Sequence, residues 1–182
     1  MSTTAESTLA TYAVEPSHSS LEFAVKHMLI AKTKGRFQDY NVVANIDESD
    51  FTRSNATVTI QAASIDTRQA DRDGHLKSAD FLDVEKFPQI TFVSRKIEPD
   101  GDDWRVIGDL TIRDVTREVA LEGEVSGPAK DPWGGSRIGL SLAGKVNRKD
   151  FGMVWNAALE TGGVLVADDV KLNIEVELLK QQ

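Results

Sequence analysis

Val170-Lys171-Leu172-Asn173-Ile174-Glu175-Val176-Glu177-Leu178 alternates an aliphatic with a polar residue at every step. A helix would scatter these aliphatics around its axis. A strand, whose side chains point to opposite faces in turn, gathers all five on one face. Working back along the chain, the same period recurs in Ile138, Leu140, Leu142 and Val146, then in Val119, Leu121 and Val125. Before these come Trp104, Val106, Leu110 and Ile112, then Ile90 and Phe92, then Ala56, Val58, Ile60 and Ala62. Tyr40, Val42, Ala44 and Ile46 precede those, and Leu21, Phe23 and Val25 begin the series. The pattern predicts about eight antiparallel strands, each with one dry face. Phe37 is out of step with Tyr40, which predicts a register change in the second strand.

One passage breaks the period. In Arg72-Asp73-Gly74-His75-Leu76-Lys77-Ser78-Ala79-Asp80-Phe81-Leu82-Asp83, residues Arg72, Leu76 and Ala79 share a helical face, and Asp73 and Lys77 are spaced to pair. A short helix over residues 69–80 is therefore expected between the third and fourth strands, with Pro88 punctuating the strand that follows. Eight one-sided strands remove their edges by closing a barrel, the alternative being a two-layer sandwich.

Several short runs also stand in a fixed order. They are Ser17-His18-Ser19, His27, Gly35-Arg36-Phe37, Ser64-Ile65-Asp66-Thr67, the helical passage with Phe87-Pro88-Gln89-Ile90-Thr91-Phe92-Val93-Ser94, Gly108-Asp109-Leu110-Thr111-Ile112, and Arg148-Lys149-Asp150-Phe151-Gly152. Over residues 12–179 the chain resembles the YceI family of lipocalin-like, polyisoprenoid-binding proteins. Glu15 is a departure, since an Asp usually precedes the His-Ser pair. The resemblance implies an all-β, lipocalin-like antiparallel barrel. It also implies a polyisoprenoid, isoprenoid quinone or related long-chain lipid as ligand, and homodimers occur in the family.

If successive strands alternate direction, residues 28–34, 67–86, 113–116 and 148–168 share one end, where most of these runs collect. The opposite end carries ordinary polar turns such as Pro99-Asp100-Gly101-Asp102, and His18 falls there too. The segment 148–168 is long for a connection and rich in apolar residues, among them Phe151, Met153, Val154 and Trp155. It reads either as a plug completing the core or as a lid over a mouth. Gly108, Gly123 and Gly144 fall on inward positions, where they either let strands coil sharply or leave room for a guest.

Composition narrows the function. The formal charge of -8 argues against nucleic acid and against electrostatic docking on anionic lipid surfaces. Without cysteine there are no disulfides, thiolate nucleophiles or cysteine-bound zinc. Residues 1–11 read as a disordered tail ahead of one domain over 12–182. The first twenty residues lack a basic start and an apolar run, so cytoplasmic residence is expected, although many members of the resembled family are exported. No apolar run is long enough for a transmembrane helix, so stable membrane insertion is not expected.

His18, His27 and His75 are the candidates for metal or acid–base chemistry. The nine-residue step from His18 to His27 puts them on opposite faces of a strand, and no catalytic signature such as HExxH or GxSxG occurs. No metal, cofactor or catalytic residue is assigned. The expected lining is Phe23, Val25, Tyr40, Val42, Phe92, Leu110, Ile112, Leu142 and Ile174. Head-end contacts are expected from His27, His75, Phe81, Phe151 and Trp155, with Phe37 and Leu76 beside them. Non-catalytic binding, storage or transport of one lipid is the leading expectation. A hydrolase or lyase using His27 or His75, and a filled barrel acting as an interaction module, are the alternatives. Arg72, Asp73 and Arg148 are expected to form an ion-pair cluster at the mouth, with His75 tying the helix to the barrel.

Overall fold

The computed structural model describes residues 9–28, 30–159 and 164–182. Among these, eleven β-segments assemble into the eight staves of a closed antiparallel barrel. The first stave is β1 (Ala10–Val14) and β2 (Ser20–His27), broken by a 3-10 turn at Pro16–His18. The second is β3 (Ala31–Phe37) and β4 (Tyr40–Ile46), so the register change expected at Phe37 is present. The third is β5 (Asn55–Gln61), continued after a 3-10 turn by β6 (Ile65–Asp66). The others are β7 (Gln89–Asp100), β8 (Asp103–Ile112), β9 (Val115–Lys130), β10 (Ser136–Asn147) and β11 (Val166–Lys180).

The barrel closes along β11. Its C-terminal half pairs with β1 (Val14 opposite Leu178), and its N-terminal half pairs with β2 (Leu172 opposite Phe23). Closure satisfies the ladder groups that an open sheet would leave at its edges. The helix α1 (Ala70–Lys77) stands between the third stave and β7, as expected but shorter.

Two expectations shift. Residues 31–34 belong to β3 instead of forming a loop, and residues 10 and 11, expected in the tail, begin the wall strand Ala10–Val14. Residues 1–8 lie outside the described residues. Tyr12 of β1 is 0% exposed and anchors a packed floor with Val42, Ala44, Ile46, Ile138, Val176 and Leu178. The inward side chains thus make two clusters, a filled one at the closed end and an upper one, beneath α1, that includes Ile90, Phe92, Leu110 and Leu121.

The inward glycines serve close packing. A Cβ on Gly108 would sit 2.5 Å from the Val93 carbonyl oxygen and 2.6 Å from the Phe92 ring, and one on Gly144 2.7 Å from Leu121. Neighbouring groups already occupy the space a missing side chain would leave, so the strand-coiling reading holds at these two positions.

Candidate functional site: a roofed apolar cavity

A cavity of about 510 Å³ occupies the upper half of the barrel. Its floor includes Leu21, which also belongs to the packed lower cluster. Its walls include Phe23 and Val25 of β2, Val58 and Ile60 of β5, Phe92 of β7, Leu110 and Ile112 of β8, and Ile174 of β11. Alternation turns these residues inward, and their height above the floor leaves them facing one another across space.

Of the residues expected here, Phe23, Val25, His27, Phe37, His75, Leu76, Phe81, Phe92, Leu110, Ile112, Trp155 and Ile174 border the cavity. Four do not. Tyr40 and Val42 point inward but lie low, in the packed floor cluster. Leu142 is buried in the upper cluster without reaching the cavity surface. Phe151, 1% exposed, is driven into that cluster and anchors the loop that follows.

The roof has two parts, the first of which is α1. Its tie to the wall is made by neither His75 nor an ion pair. Asp73 Oδ1 accepts the Thr67 backbone N–H at 2.9 Å and the Thr67 hydroxyl at 2.5 Å. Arg72 donates Nε–H to Thr67 Oγ1 and Nη2–H to the Thr67 carbonyl, both at 2.8 Å. Asp73 is thus engaged with Thr67 rather than with Lys77. His75 is held at 2.9 Å by Asp80, and its ring meets Phe81 and Trp155 edge-on, with centroids 5.1 and 4.5 Å apart. Edge-to-face contacts of this kind stabilise aromatic clusters beyond their buried area.

The second part is the connection from β10 to β11, called the lid below, which contributes Met153, Trp155, Leu165 and Val166 to the cavity lining. After the 3-10 turn Arg148–Phe151, Gly152 takes a left-handed conformation (φ 81°) and redirects the chain over the mouth. The Asn156 side chain bonds both backbone groups of Val166, and Ala158 bridges Val164, so the lid is hairpin-like. Its tip, residues 160–163, lies outside the described residues.

Arg148 holds this lid and is 2% exposed. It donates to the carbonyls of Met153 (2.7 Å), Trp155 (2.8 Å), Ala167 (2.9 Å) and Val166 (3.3 Å), with Asp168 at 3.7 Å. Burial pulls its pKa below the ordinary guanidinium value, and Asp168 opposes that shift. The ion-pair cluster expected with Arg72 and Asp73 is therefore absent. Arg148, Arg72 and Asp71 border the cavity although none stood among the expected contacts. Their spacing to the mouth motifs was the available signal.

His18 lies 3.7 Å from Glu177, at the kink between β1 and β2 and away from the other two histidines. Among the described residues no group of three or more His, Cys, Asp or Glu could hold a metal ion. Also among them, no helix is long and apolar enough to cross a membrane.

The model of the YceI-like domain matches residues 12–178. A UPF0312 protein of Staphylococcus aureus (strain MSSA476) is 39% identical over 170 residues, covering 93% of this chain and 97% of its own. The crystal structure of the Campylobacter jejuni YCEI protein superposes with a TM-score of 0.74 at 36% identity, over 86% of this chain and 90% of that one. A polyisoprenoid binding domain from Saccharophagus degradans shares the fold at 12% identity, with a TM-score of 0.65 over 95% of this chain and 99% of that one. The family match over residues 12–178 and the shared barrel agree, and the chain belongs to the YceI-like family.

Proposed function

We propose that this protein binds one long-chain amphipathic lipid of the isoprenoid class in the upper half of its barrel, without transforming it. The observation that carries this reading is the cavity itself. It lies within the usual 300–1,000 Å³ range of small-molecule sites, is walled almost entirely by hydrocarbon and aromatic groups, and has its few polar side chains at one end. The Saccharophagus domain described as polyisoprenoid binding is built on the same barrel, which supports the ligand class.

Burying each methylene is worth roughly 0.8 kcal/mol, so about ten carbons contribute on the order of 8 kcal/mol before ordering costs of several kcal/mol. Affinity would come from the walls, and orientation from the mouth. There His27, His75, Asp71 and Arg72 would face the polar head.

A non-catalytic role fits the same residues. His75 has Asp80 to orient its ring, but the lining holds no serine and the chain no cysteine, so no hydroxyl or thiol other than that of Thr33 stands in the cavity for His75 to activate.

The test is organic extraction of freshly purified protein followed by mass spectrometry, with binding of cis-parinaric acid measured in parallel. A co-purified isoprenoid or other long-chain lipid, displaced stoichiometrically by the probe, is expected. Val25→Trp and Val170→Trp, which fill the cavity from directly paired positions on the neighbouring strands β2 and β11, should each cut probe binding at least tenfold while preserving cooperative unfolding. Undiminished binding by both variants would refute the reading.

A further inference from the structure

The net charge of -8 is unevenly distributed. The loops at the closed end, residues 47–50 and 98–103, carry seven carboxylates. The β2–β3 hairpin at the mouth, residues 26–36, carries Lys26, Lys32, Lys34 and Arg36 and no carboxylate at all. These four residues are exposed, with Val25, His27, Thr33 and Gly35 taking the inward positions, and Lys26 also borders the mouth of the cavity. Lys26 and Lys32 stand directly opposite each other across the ladder. Like charges so placed destabilise a sheet, so this arrangement is maintained at a cost unless an anion lies against it.

Two described residues at the tip of the same hairpin are apolar and exposed. Ile30 is 86% exposed, and Met28 is also exposed. Met28 donates its backbone N–H to Leu165 at 2.9 Å, which brings the tip against the lid, where Val154 and Val164 are exposed as well. Exposed apolar side chains at one end of the barrel, with lysines on the same hairpin, have the composition of an interfacial anchor. Their chain neighbours His27, Trp155 and Leu165 border the apolar cavity, so they stand at the end where a protein would have to meet a lipid's source.

We infer that the mouth face docks reversibly on anionic bilayer surfaces, with Met28 and Ile30 entering the headgroup region and Lys26, Lys32 and Lys34 lying against the lipid phosphates. Net charge does not oppose this. A 12-residue strand such as β7 spans roughly 40 Å, several times the Debye length of about 8–10 Å at physiological salt, so the acidic end is screened from the surface. The uneven charge also orients the barrel mouth-first. That the docked protein collects a lipid rests on the function proposed above; docking itself does not.

The experiment is flotation of the full chain with phosphatidylcholine vesicles containing or lacking phosphatidylglycerol. Binding to the anionic vesicles alone is expected, falling at least tenfold between 50 and 500 mM salt. Exchanging Lys26, Lys32 and Lys34 together for Gln should weaken it on the order of a hundred-fold, at about five-fold per lysine. Ile30→Ser should weaken it several-fold, and Trp133→Ser, at an equally exposed apolar residue of the closed end, should leave it unchanged.

Equal binding to both vesicle types, no binding, or loss through Trp133→Ser instead of Ile30→Ser would overturn the inference. So would an Ile30-dependent dimer in sedimentation that fails to float, which would assign the face to a second copy of the chain. Parinaric acid uptake without vesicles separates the two proposals. Variants that take up the probe but do not float have lost docking alone, whereas wild type that floats without taking up the probe contradicts the cavity reading alone.

Discussion

Arg148 directs its guanidinium at main-chain carbonyls on both limbs of the lid, at Met153, Trp155, Val166 and Ala167. A planar fork can do this where an ammonium cannot, because its donors diverge at fixed angles. Arg148→Met strands several buried carbonyls and should lower stability by about 3 kcal/mol, comparable to breaking a buried ion pair. Arg148→Lys should recover only a fraction of the loss. Urea unfolding measures the first effect. Hydrogen exchange at residues 153–157 and 164–167 measures the second, and unchanged lid protection in Arg148→Met would show that the lid stands without it. Gly108 carries a smaller constraint. The Cβ in Gly108→Ala meets the Val93 carbonyl at 2.5 Å, and the resulting shift of wall and Phe92 ring should cost about 1–3 kcal/mol in the denaturation midpoint.

Among the elements, β1 determines whether the barrel is closed, and it is fastened to β11 by a short polar seam as well as by its ladder. Tyr12 donates its hydroxyl to Glu48 at 2.5 Å, and Lys180 reaches the same carboxylate at 3.0 Å. Burial and the Glu48 carboxylate push the Tyr12 phenol above its ordinary value, while the Tyr12 hydroxyl and Lys180 hold Glu48 below the usual carboxylate range. The depressed Glu48 contributes stability that is present above about pH 4.3 and lost as pH falls through its folded value. The raised Tyr12 contributes stability that is present below about pH 10 and lost as pH rises through its folded value. Tyr12→Phe should shrink both losses, leaving the alkaline contributions of the raised Tyr40 phenol and Lys180 ammonium and the Lys180 part of the Glu48 stabilisation. Urea midpoints from pH 3 to 11 with both limbs as large in this variant as in wild type would contradict the assignment. The seam also shows where sequence stops being informative. Alternation over long strands such as Val170–Leu178 identifies the barrel, whereas Ala10-Thr11-Tyr12-Ala13-Val14 is too short and too mild to announce a strand. In β3 the inward positions are Ala31, Thr33, Gly35 and Phe37, of which only Phe37 is large and apolar, so the apolar period is too weak to be read. The work of Arg148 was equally hidden, because its partners are carbonyls that every residue possesses.

At the scale of the whole molecule the barrel is half core and half container, and the boundary between the halves explains which expected lining residues are absent from the cavity. A period of two reports which face a side chain takes but not its height along the barrel axis. Tyr40 and Val42 therefore share a face with Phe92 and Leu110 yet belong to the floor, because Tyr12, Ile138 and Leu178 fill the barrel at their level. If the cavity holds a lipid tail, this floor limits its length. Affinity for a homologous series of fatty acids should rise about four-fold per methylene, the equivalent of roughly 0.8 kcal/mol, until the tail reaches Leu21, and then level off. Leu21→Ala deepens the cavity at that point. It should cost about 2–5 kcal/mol of stability and move the plateau to a longer chain, since the tail then enters space the leucine occupied. Calorimetric titration of the series against both proteins measures the two plateaus. A plateau at the same chain length in wild type and Leu21→Ala would mean that something other than the packed floor sets the limit, and that the tail does not run down the barrel axis.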